Sequence, residues 1–375
     1  MTLPPPEIRR RAQVAASHMA DRDTPFIFDE WYVAAFADEI GRHLLQRTIL
    51  GKRIVMFRTE AGTPVALADR CAHRSFPLSA SRLDGDTIVC GYHGFRYDTQ
   101  GDCIEVPSQP QCPKHIGVKA YALHECGPLV WIYMGEAADA DPAKLPEQAW
   151  LDDAAWTCSR GYFRLAANYV ALHENLLDLT HLSFLHAATF GTPDYARAAF
   201  ETEIRSGYYA LARAVVPTTL PPIWAKPTGL EGIDTAARIV KSEFKSPAFH
   251  QVNVSFHDEA LPAPQRHYSR IKTAHLPTPE TRDSTHYFIV HGRDFARDDA
   301  AMTRFMHEGL FAAFEEDVAG LALQREMLEA TPAEELYEFT VASDAPAAAM
   351  RVHLKERSLA QSRAHAGGKG QAAAE

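Results

Sequence analysis

Apolar residues arrive along this chain in two different periods. Between residues 26 and 136 they come as short runs, at 44–50, 53–57, 65–67, 87–89 and 129–133, separated by Gly and Asp turns. Runs of that length rich in Val, Ile, Leu and aromatics predict strands. Asp84-Gly85-Asp86 is a tight-turn signal feeding the strand before Cys90. Residues 137–146, rich in Ala, Asp and Pro, predict a linker. Beyond it, helical and strand periods alternate. Residues 168–186 carry helical spacing, and 208–216, 251–256, 268–276 and 286–293 read as strands. Residues 302–331 form one long amphipathic helix, with Phe305, Leu310, Phe311, Phe314, Val318, Leu321 and Leu323 on its buried side. The proline-rich stretch 217–236 reads as a long loop. Residues 361–375, rich in Ala, Gly and Gln, predict a disordered tail. Residues 1–25 predict an amphipathic helical segment packed on the second domain. The fold class is therefore α+β: an all-β domain over 26–136, then a domain over 147–360 in which helices cover an antiparallel sheet.

Composition narrows the possible functions. A length of 375 residues suits two domains, and 46% hydrophobic with 23% charged residues is ordinary for a globular protein. A net charge of −10 argues against nucleic-acid partners, which need a basic surface. No apolar run reaches the roughly 18 residues of a membrane span. Arg9-Arg10-Arg11 is followed by His18, Asp21, Arg22 and Asp23 rather than by an apolar core, so no export signal is read and a cytoplasmic location is expected. Cys103, Cys112, Cys126 and Cys158 show no metal spacing and are expected to stay reduced.

The chemistry begins at Cys71-Ala72-His73 and Cys90-Gly91-Tyr92-His93. Two mixed Cys/His arms supply what a Rieske [2Fe–2S] centre needs: two thiolates for one iron and two imidazoles for the other. Structural zinc is the alternative, but its arms usually pair Cys with Cys and His with His. Gly91, Gly94 and Pro77 place both arms in loops.

A second constellation is Asn175-x2-Asp178-x2-His181-x4-His186. Steps of three put Asn175, Asp178 and His181 on one helix face. His186 lies about 140° away on an ideal helix, so joint ligation by His181 and His186 predicts a break or 3₁₀ irregularity near Ser183. Two histidines and one carboxylate make the facial site of a non-haem Fe(II) oxygenase. The segment Glu315-Glu316-Asp317 can supply the carboxylate. Asn175 either hydrogen-bonds near the metal or stabilises its helix. His173-Glu174 does not start a zinc-protease motif, because Leu177 stands where the second histidine belongs. Arg74 is a neighbour of the cluster or a surface cation. Tyr287, Ile289 and His291 alternate on one strand face, as pocket wall or as core.

Taken in this order, the two motifs resemble the Rieske non-haem iron oxygenases, from Trp31-Tyr32 through the helix containing Asp317. The segment Phe314-Glu315-Glu316-Asp317 is most similar to the vanillate O-demethylase, toluenesulfonate methyl-monooxygenase and dicamba monooxygenase branch. The resemblance implies a helix-grip catalytic domain. It further implies cluster ligation by Cys71, His73, Cys90 and His93, and iron ligation by His181, His186 and Asp317. Asp178 would be a carboxylate bridge linking His93 to His181 between neighbouring subunits of a head-to-tail homotrimer. Phe95 stands where many relatives carry Trp.

The implied reaction uses O₂ and a small aromatic substrate, an aromatic acid or aryl ether, and monooxygenates it by O-demethylation or hydroxylation. Cis-dihydroxylation of a ring is the alternative. No nucleotide fingerprint or plant-type ferredoxin spacing occurs, so electrons are expected from a separate NAD(P)H-dependent reductase, with or without a ferredoxin. A Rieske electron carrier or a zinc-stapled module would need no second metal site.

Overall fold

A computed structural model describes residues 5–16 and 26–371. They divide into two compact units, Phe28–Leu145 with Thr278–Thr281 and the remainder.

The chain enters on helix α1 (Pro6–Ala16). The first unit then contains strands β1 (Trp31–Phe36), β2 (Leu45–Ile49), β3 (Lys52–Arg58), β4 (Pro64–Ala68), β5 (Arg82–Asp84), β6 (Thr87–Val89), β7 (Arg96–Tyr97), β8 (Cys103–Glu105), β9 (Leu123–Cys126) and β10 (Leu129–Tyr133). They make three small sheets, ordered β1-β10-β9, β2-β3-β4 and β5-β6-β7-β8. The runs predicted as strands are β2, β3, β4, β6 and β10. Missed were β5, β7, β8 and β9, too short to show a period, and β1, buried along its whole length and so without alternation. Gly85, at φ 54°, makes the expected turn between β5 and β6. The β2–β3 turn instead uses Leu50-Gly51, both at positive φ. A leucine tolerates that backbone because it is buried and its amide donates to the Pro279 carbonyl, at 2.7 Å. The linker predicted over 137–146 is corrected: most of it belongs to this unit. Its 3₁₀ turns Ala137–Asp139 and Pro142–Lys144 are tied down where Trp31 Nε1 donates to the Asp141 carbonyl, at 3.0 Å.

The second unit is built on one antiparallel sheet of seven strands. These are β11 (Thr157–Leu165), β12 (Phe200–Arg205), β13 (Tyr208–Thr218), β14 (Ala236–Ser246), β15 (Phe249–Asp258), β16 (Ser269–Thr281) and β17 (Ser284–Arg293), in the order β11-β17-β16-β15-β14-β13-β12. Its helices are α2 (Tyr169–Leu177), α3 (Pro222–Thr228), α4 (Ala300–Ala330) and α5 (Ala345–Gln371). The main core runs between the sheet and helices α2, α3 and α4. Asp299 caps α4 by accepting from Met302 N, at 2.9 Å. The buried stripe of α4 is Met306, Leu310, Ala313, Phe314, Asp317 and Leu321, so one carboxylate lies in the apolar register. Leu323 is 63% exposed, two positions off that stripe, which corrects its expected place.

Four further readings change. The helix predicted over 168–186 stops at Leu177, where Asp178 takes an extended conformation, and a 3₁₀ turn covers His181–Ser183. Asn175, Asp178 and His181 therefore do not share a helix face. The loop read over 217–236 contains α3, seated by buried Trp224 and Ile223. The tail read as disordered from 361 continues α5 to Gln371, in spite of the weak helix formers Gly367, Gly368 and Gly370, while 372–375 lie outside the described residues. Of the segment 1–25, α1 meets the second unit where Gln13 Nε2 donates to the Glu334 carbonyl, at 3.1 Å, and 1–4 and 17–25 lie outside the described residues. No described helix is long and apolar enough to cross a membrane.

The β11–α4 contact gives a stability test. A Cβ on Gly161 would lie 1.9 Å from a ring carbon of Phe311. Gly161→Ala should therefore lower stability by roughly 1–3 kcal/mol through overpacking, seen as a lower denaturant midpoint with an unchanged slope. An unchanged midpoint would show that the ring moves freely.

Candidate metal centres and substrate cavity

The two Cys/His arms are copies of one loop. In the first, Cys71 N donates to Phe76 O (2.8 Å) and Ser75 N to Cys71 O (3.0 Å); in the second, Cys90 N donates to Phe95 O (2.8 Å) and Gly94 N to Cys90 O (3.0 Å). The fifth residue of each arm turns through the left-handed region, Ser75 at φ 58° and Gly94 at φ 73°. Ser75 holds this costly geometry with its hydroxyl bonded by Arg70 Nε, at 2.9 Å. Cys71 and Cys90 are buried in the core of the first unit, whereas His73 and His93 are exposed. Burial raises the Cys90 thiol pKa, Cys71 adds to the rise, and the Tyr92 and His93 amides oppose it. The Tyr97 hydroxyl lies 3.1 Å from Cys71 Sγ. The rings of His73 and His93 stand 4.6 Å apart, and Phe95 stacks on His73. Two sulfurs inward and two imidazoles outward fit a [2Fe–2S] rhomb with one thiolate-held and one imidazole-held iron. None of the six cysteines forms a disulfide, and Arg74 is exposed.

In the second unit, His181, His186 and Asp317 converge, each offering a donor atom within 4.8 Å of the others. Asp317 Oδ1 lies 3.1 Å from His186 Nε2 and 3.5 Å from His181 Nε2. Donors about 2.1 Å from one ion and at right angles stand about 3 Å apart, so the set fits a facial triad. The break at Asp178 makes this possible, because both histidines then leave a non-helical segment. Gly191 closes that segment: a Cβ there would lie 1.7 Å from the Leu182 carbonyl oxygen.

Each histidine has a carboxylate behind its other nitrogen. Glu316 Oε2 is 2.7 Å from His186 Nδ1 and accepts from Thr189 Oγ1, at 2.8 Å. Asp178 Oδ2 is 3.6 Å from His181 Nδ1, with its side chain 35% exposed. Asn175 Nδ2 donates to Asp317 Oδ1, at 3.0 Å, which puts its amide beside the triad. Burial opposes ionisation of Asp317, but the hydrogen bond from His186 and the charges of both histidines outweigh it and depress its pKa. For His186 burial lowers the pKa, while Asp317 and Glu316 raise it more. Of the three adjacent acids on α4, Glu315 is exposed, Glu316 orients a histidine, and only Asp317 points into the triad.

The triad forms one wall of a cavity between the sheet and helices α2 and α4, whose apolar lining includes Leu176, Val240, Val254, Leu310 and Phe314. Among Tyr287, Ile289 and His291, the first two are core and His291 lines the cavity. The sequence did not reveal Arg238, His275 and Trp224 as lining residues, because strand and loop placement alone brings them there. His173 is likewise structural. Its Nε2 lies 3.0 Å from the Pro247 carbonyl and its Nδ1 3.3 Å from His250 Nδ1, pinning α2 to the sheet. Burial holds its pKa down at about 4, so it stays neutral there.

Both units match known protein domains. Residues 30–122 match the Rieske [2Fe-2S] domain, and residues 165–360 match the vanillate O-demethylase oxygenase C-terminal domain. The chain is 33% identical to the iron-sulfur subunit of the toluene-4-sulfonate monooxygenase system of Comamonas testosteroni, over 82% of this chain and 90% of that one. It is 32% identical to the oxygenase component of dicamba O-demethylase from Stenotrophomonas maltophilia, over 74% of this chain and 81% of that one. The crystal structure of dicamba monooxygenase bound to 3,6-dichlorosalicylic acid superposes with a TM-score of 0.84 at 26% identity, covering 90% of this chain and 99% of that one.

Replacing Glu316 by Ala removes the acceptor that fixes His186. Iron affinity of the triad, measured by chelator competition, should fall roughly 10- to 100-fold with the fold intact. An affinity equal to that of the unaltered protein would mean that Glu316 does not orient His186.

Proposed function

This chain belongs to the Rieske oxygenases with a vanillate O-demethylase-type C-terminal domain, and from that premise we propose that it monooxygenates an aromatic acid or aryl ether, by O-demethylation or hydroxylation. It is an oxidoreductase with a Rieske [2Fe–2S] cluster and a non-haem iron as cofactors. The observation that carries the reading is the convergence of His181 Nε2, His186 Nε2 and Asp317 Oδ1 on the wall of a largely apolar cavity.

Cys71, Cys90, His73 and His93 are the residues assigned to hold the cluster, and His181, His186 and Asp317 those assigned to hold the mononuclear iron. When bound, the cluster supplies single electrons and the mononuclear iron supplies O₂ activation. The protein's own residues set the conditions for both. Glu316 and Asp178 face the outer nitrogens of the histidines, leaving both Nε2 atoms for the metal. Asn175 fixes the Asp317 carboxylate by donating to Oδ1. The apolar walls exclude water from the reacting end of a substrate.

Asp178 is assigned as the carboxylate bridge between His181 and His93 of a neighbouring copy in a head-to-tail homotrimer. Its partial exposure, and the exposure of His93, support that role. A separate NAD(P)H-dependent reductase, directly or through a ferredoxin, is the proposed electron source. A cytoplasmic location is proposed because none of the six cysteines forms a disulfide, which suits a reducing compartment.

The test combines metal analysis with turnover. Purified protein should carry about three irons per chain, two of them in the cluster, and should release formaldehyde or a hydroxylated product from an aryl substrate when a compatible reductase is added. Asp178→Asn should keep both metals and lose turnover. Full activity in that variant would remove Asp178 from the electron route, and protein without iron would contradict the oxygenase reading.

A further inference from the structure

Arg238, on β14, is 2% exposed and lines the cavity that also contains the triad. Arg213 and Arg293, also buried in this unit, likewise have an Nε without a hydrogen bond, but their Nη groups are well engaged, those of Arg293 by the Ala296 carbonyl and the Thr303 hydroxyl. Arg213 donates to the carbonyls of Tyr195, Ala196 and Ala198 and to the Thr180 hydroxyl. Arg351 pairs with Glu174 and Glu338. The Arg238 guanidinium makes a single hydrogen bond, Nη1 to the Phe190 carbonyl at 2.9 Å, and its Nε is buried without a partner. No described carboxylate lies within ion-pairing distance. Asp194 acts on it only at longer range, and Asp194 Oδ2 accepts from Thr218 Oγ1, at 2.7 Å.

Three rings surround the cation, Tyr195 at 4.7 Å, Trp224 at 5.5 Å and Phe190 at 5.7 Å. Aromatic faces stabilise the charge, but they offer no lone pair to the in-plane N–H groups. A guanidinium has five such donors in a rigid fork. Burial lowers the pKa of Arg238, yet arginine remains charged at neutral pH. A buried cation with most of its donors unmet is costly unless an anion completes it, and a planar carboxylate or a sulfonate matches the fork.

The remaining walls say what the anion is attached to. Leu176, Val240, Val254 and Phe314 offer an apolar slot suited to an aromatic ring. At another point of the lining, His291 presents a buried Nε2 without a hydrogen bond, as Trp224 does with its Nε1 beside Arg238, while His291 Nδ1 is 3.0 Å from Thr273 Oγ1. Strands β14 and β17 stand three places apart in the sheet, roughly 14 Å at the backbone. Two polar anchors so separated, with apolar surface between, suit an aryl anion better than a free inorganic ion.

We propose that Arg238 is the specificity-determining residue of this cavity, taking the carboxylate or sulfonate of an aryl substrate on its in-plane donors while the ring extends along the apolar wall toward His181, His186 and Asp317. The inference rests on the oxygenase reading only for the use made of the cavity.

The experiment is a binding titration on the iron-loaded protein, followed by Trp fluorescence. Each aryl anion is paired with its neutral isostere: 4-methoxybenzoate with 4-methoxybenzamide, and toluene-4-sulfonate with toluene-4-sulfonamide. At least one anion should bind roughly 10- to 100-fold tighter than its neutral partner, the worth of a charge-assisted hydrogen bond. Arg238→Gln should erase that preference, and Arg238→Lys should retain part of it. The proposal is overturned if no anion binds, if neutral partners bind equally well, or if Arg238→Gln keeps the preference. Should Arg238→Gln not fold, the unaltered protein and Arg238→Lys decide. An Arg238-dependent preference without any product would sink the oxygenase reading and leave the anion site standing. Turnover of aryl anions, undiminished in Arg238→Gln, would do the reverse.

Discussion

One buried carboxylate oxygen organises the catalytic end of this protein. Asp317 Oδ1 takes the Asn175 amide and faces Nε2 of both His181 and His186. A carboxylate placed on the apolar stripe of a long helix is unfavourable unless charge and hydrogen bonds meet it there. The requirement explains much of the architecture: α2 must end early enough to free the histidines, and His173 and His250 must hold α2 against the sheet. Glu316 must stand behind His186. Each feature positions a donor around the same atom, and together they leave room for one cation.

The cluster arms solve a different problem with the same economy. Two loops of one hydrogen-bond pattern, each bent by a left-handed residue, bury their cysteines and expose their histidines. With a cluster in these arms, the buried sulfurs would shield the thiolate-held iron and the exposed imidazoles would lie on the side open to a redox partner. The chain therefore separates a rigid store of single electrons from an enclosed site where O₂ and substrate meet.

Much of this was legible in the sequence, for identifiable reasons. The cluster arms of the first unit are short and their spacing is local, so Cys71, His73, Cys90 and His93 could be proposed as ligands directly from the sequence. Helix α4 declares itself because its period persists over 31 residues. The choice of Asp317 within Glu315-Glu316-Asp317 came from the family resemblance alone, although its place on the stripe of Leu310, Phe314 and Leu321, at i, i+4, i+7 and i+11, carried an unused signal. The end of α2 was not legible. Leu179, Leu182 and Leu185 continue a helix-like apolar spacing through a 3₁₀ turn, and only the local fold shows the break at Asp178. Strands β12 and β14 and the buried state of Arg238 depend on neighbours distant in sequence, which no local pattern records.

The central claim is that Asp317, with His181 and His186, holds an iron distinct from the cluster. Iron quantification on Asp317→Ala, alongside electron paramagnetic resonance of the reduced cluster, tests it most directly. The account predicts loss of about one iron per chain with the Rieske signal unchanged. Unchanged iron content in a folded Asp317→Ala protein would contradict it.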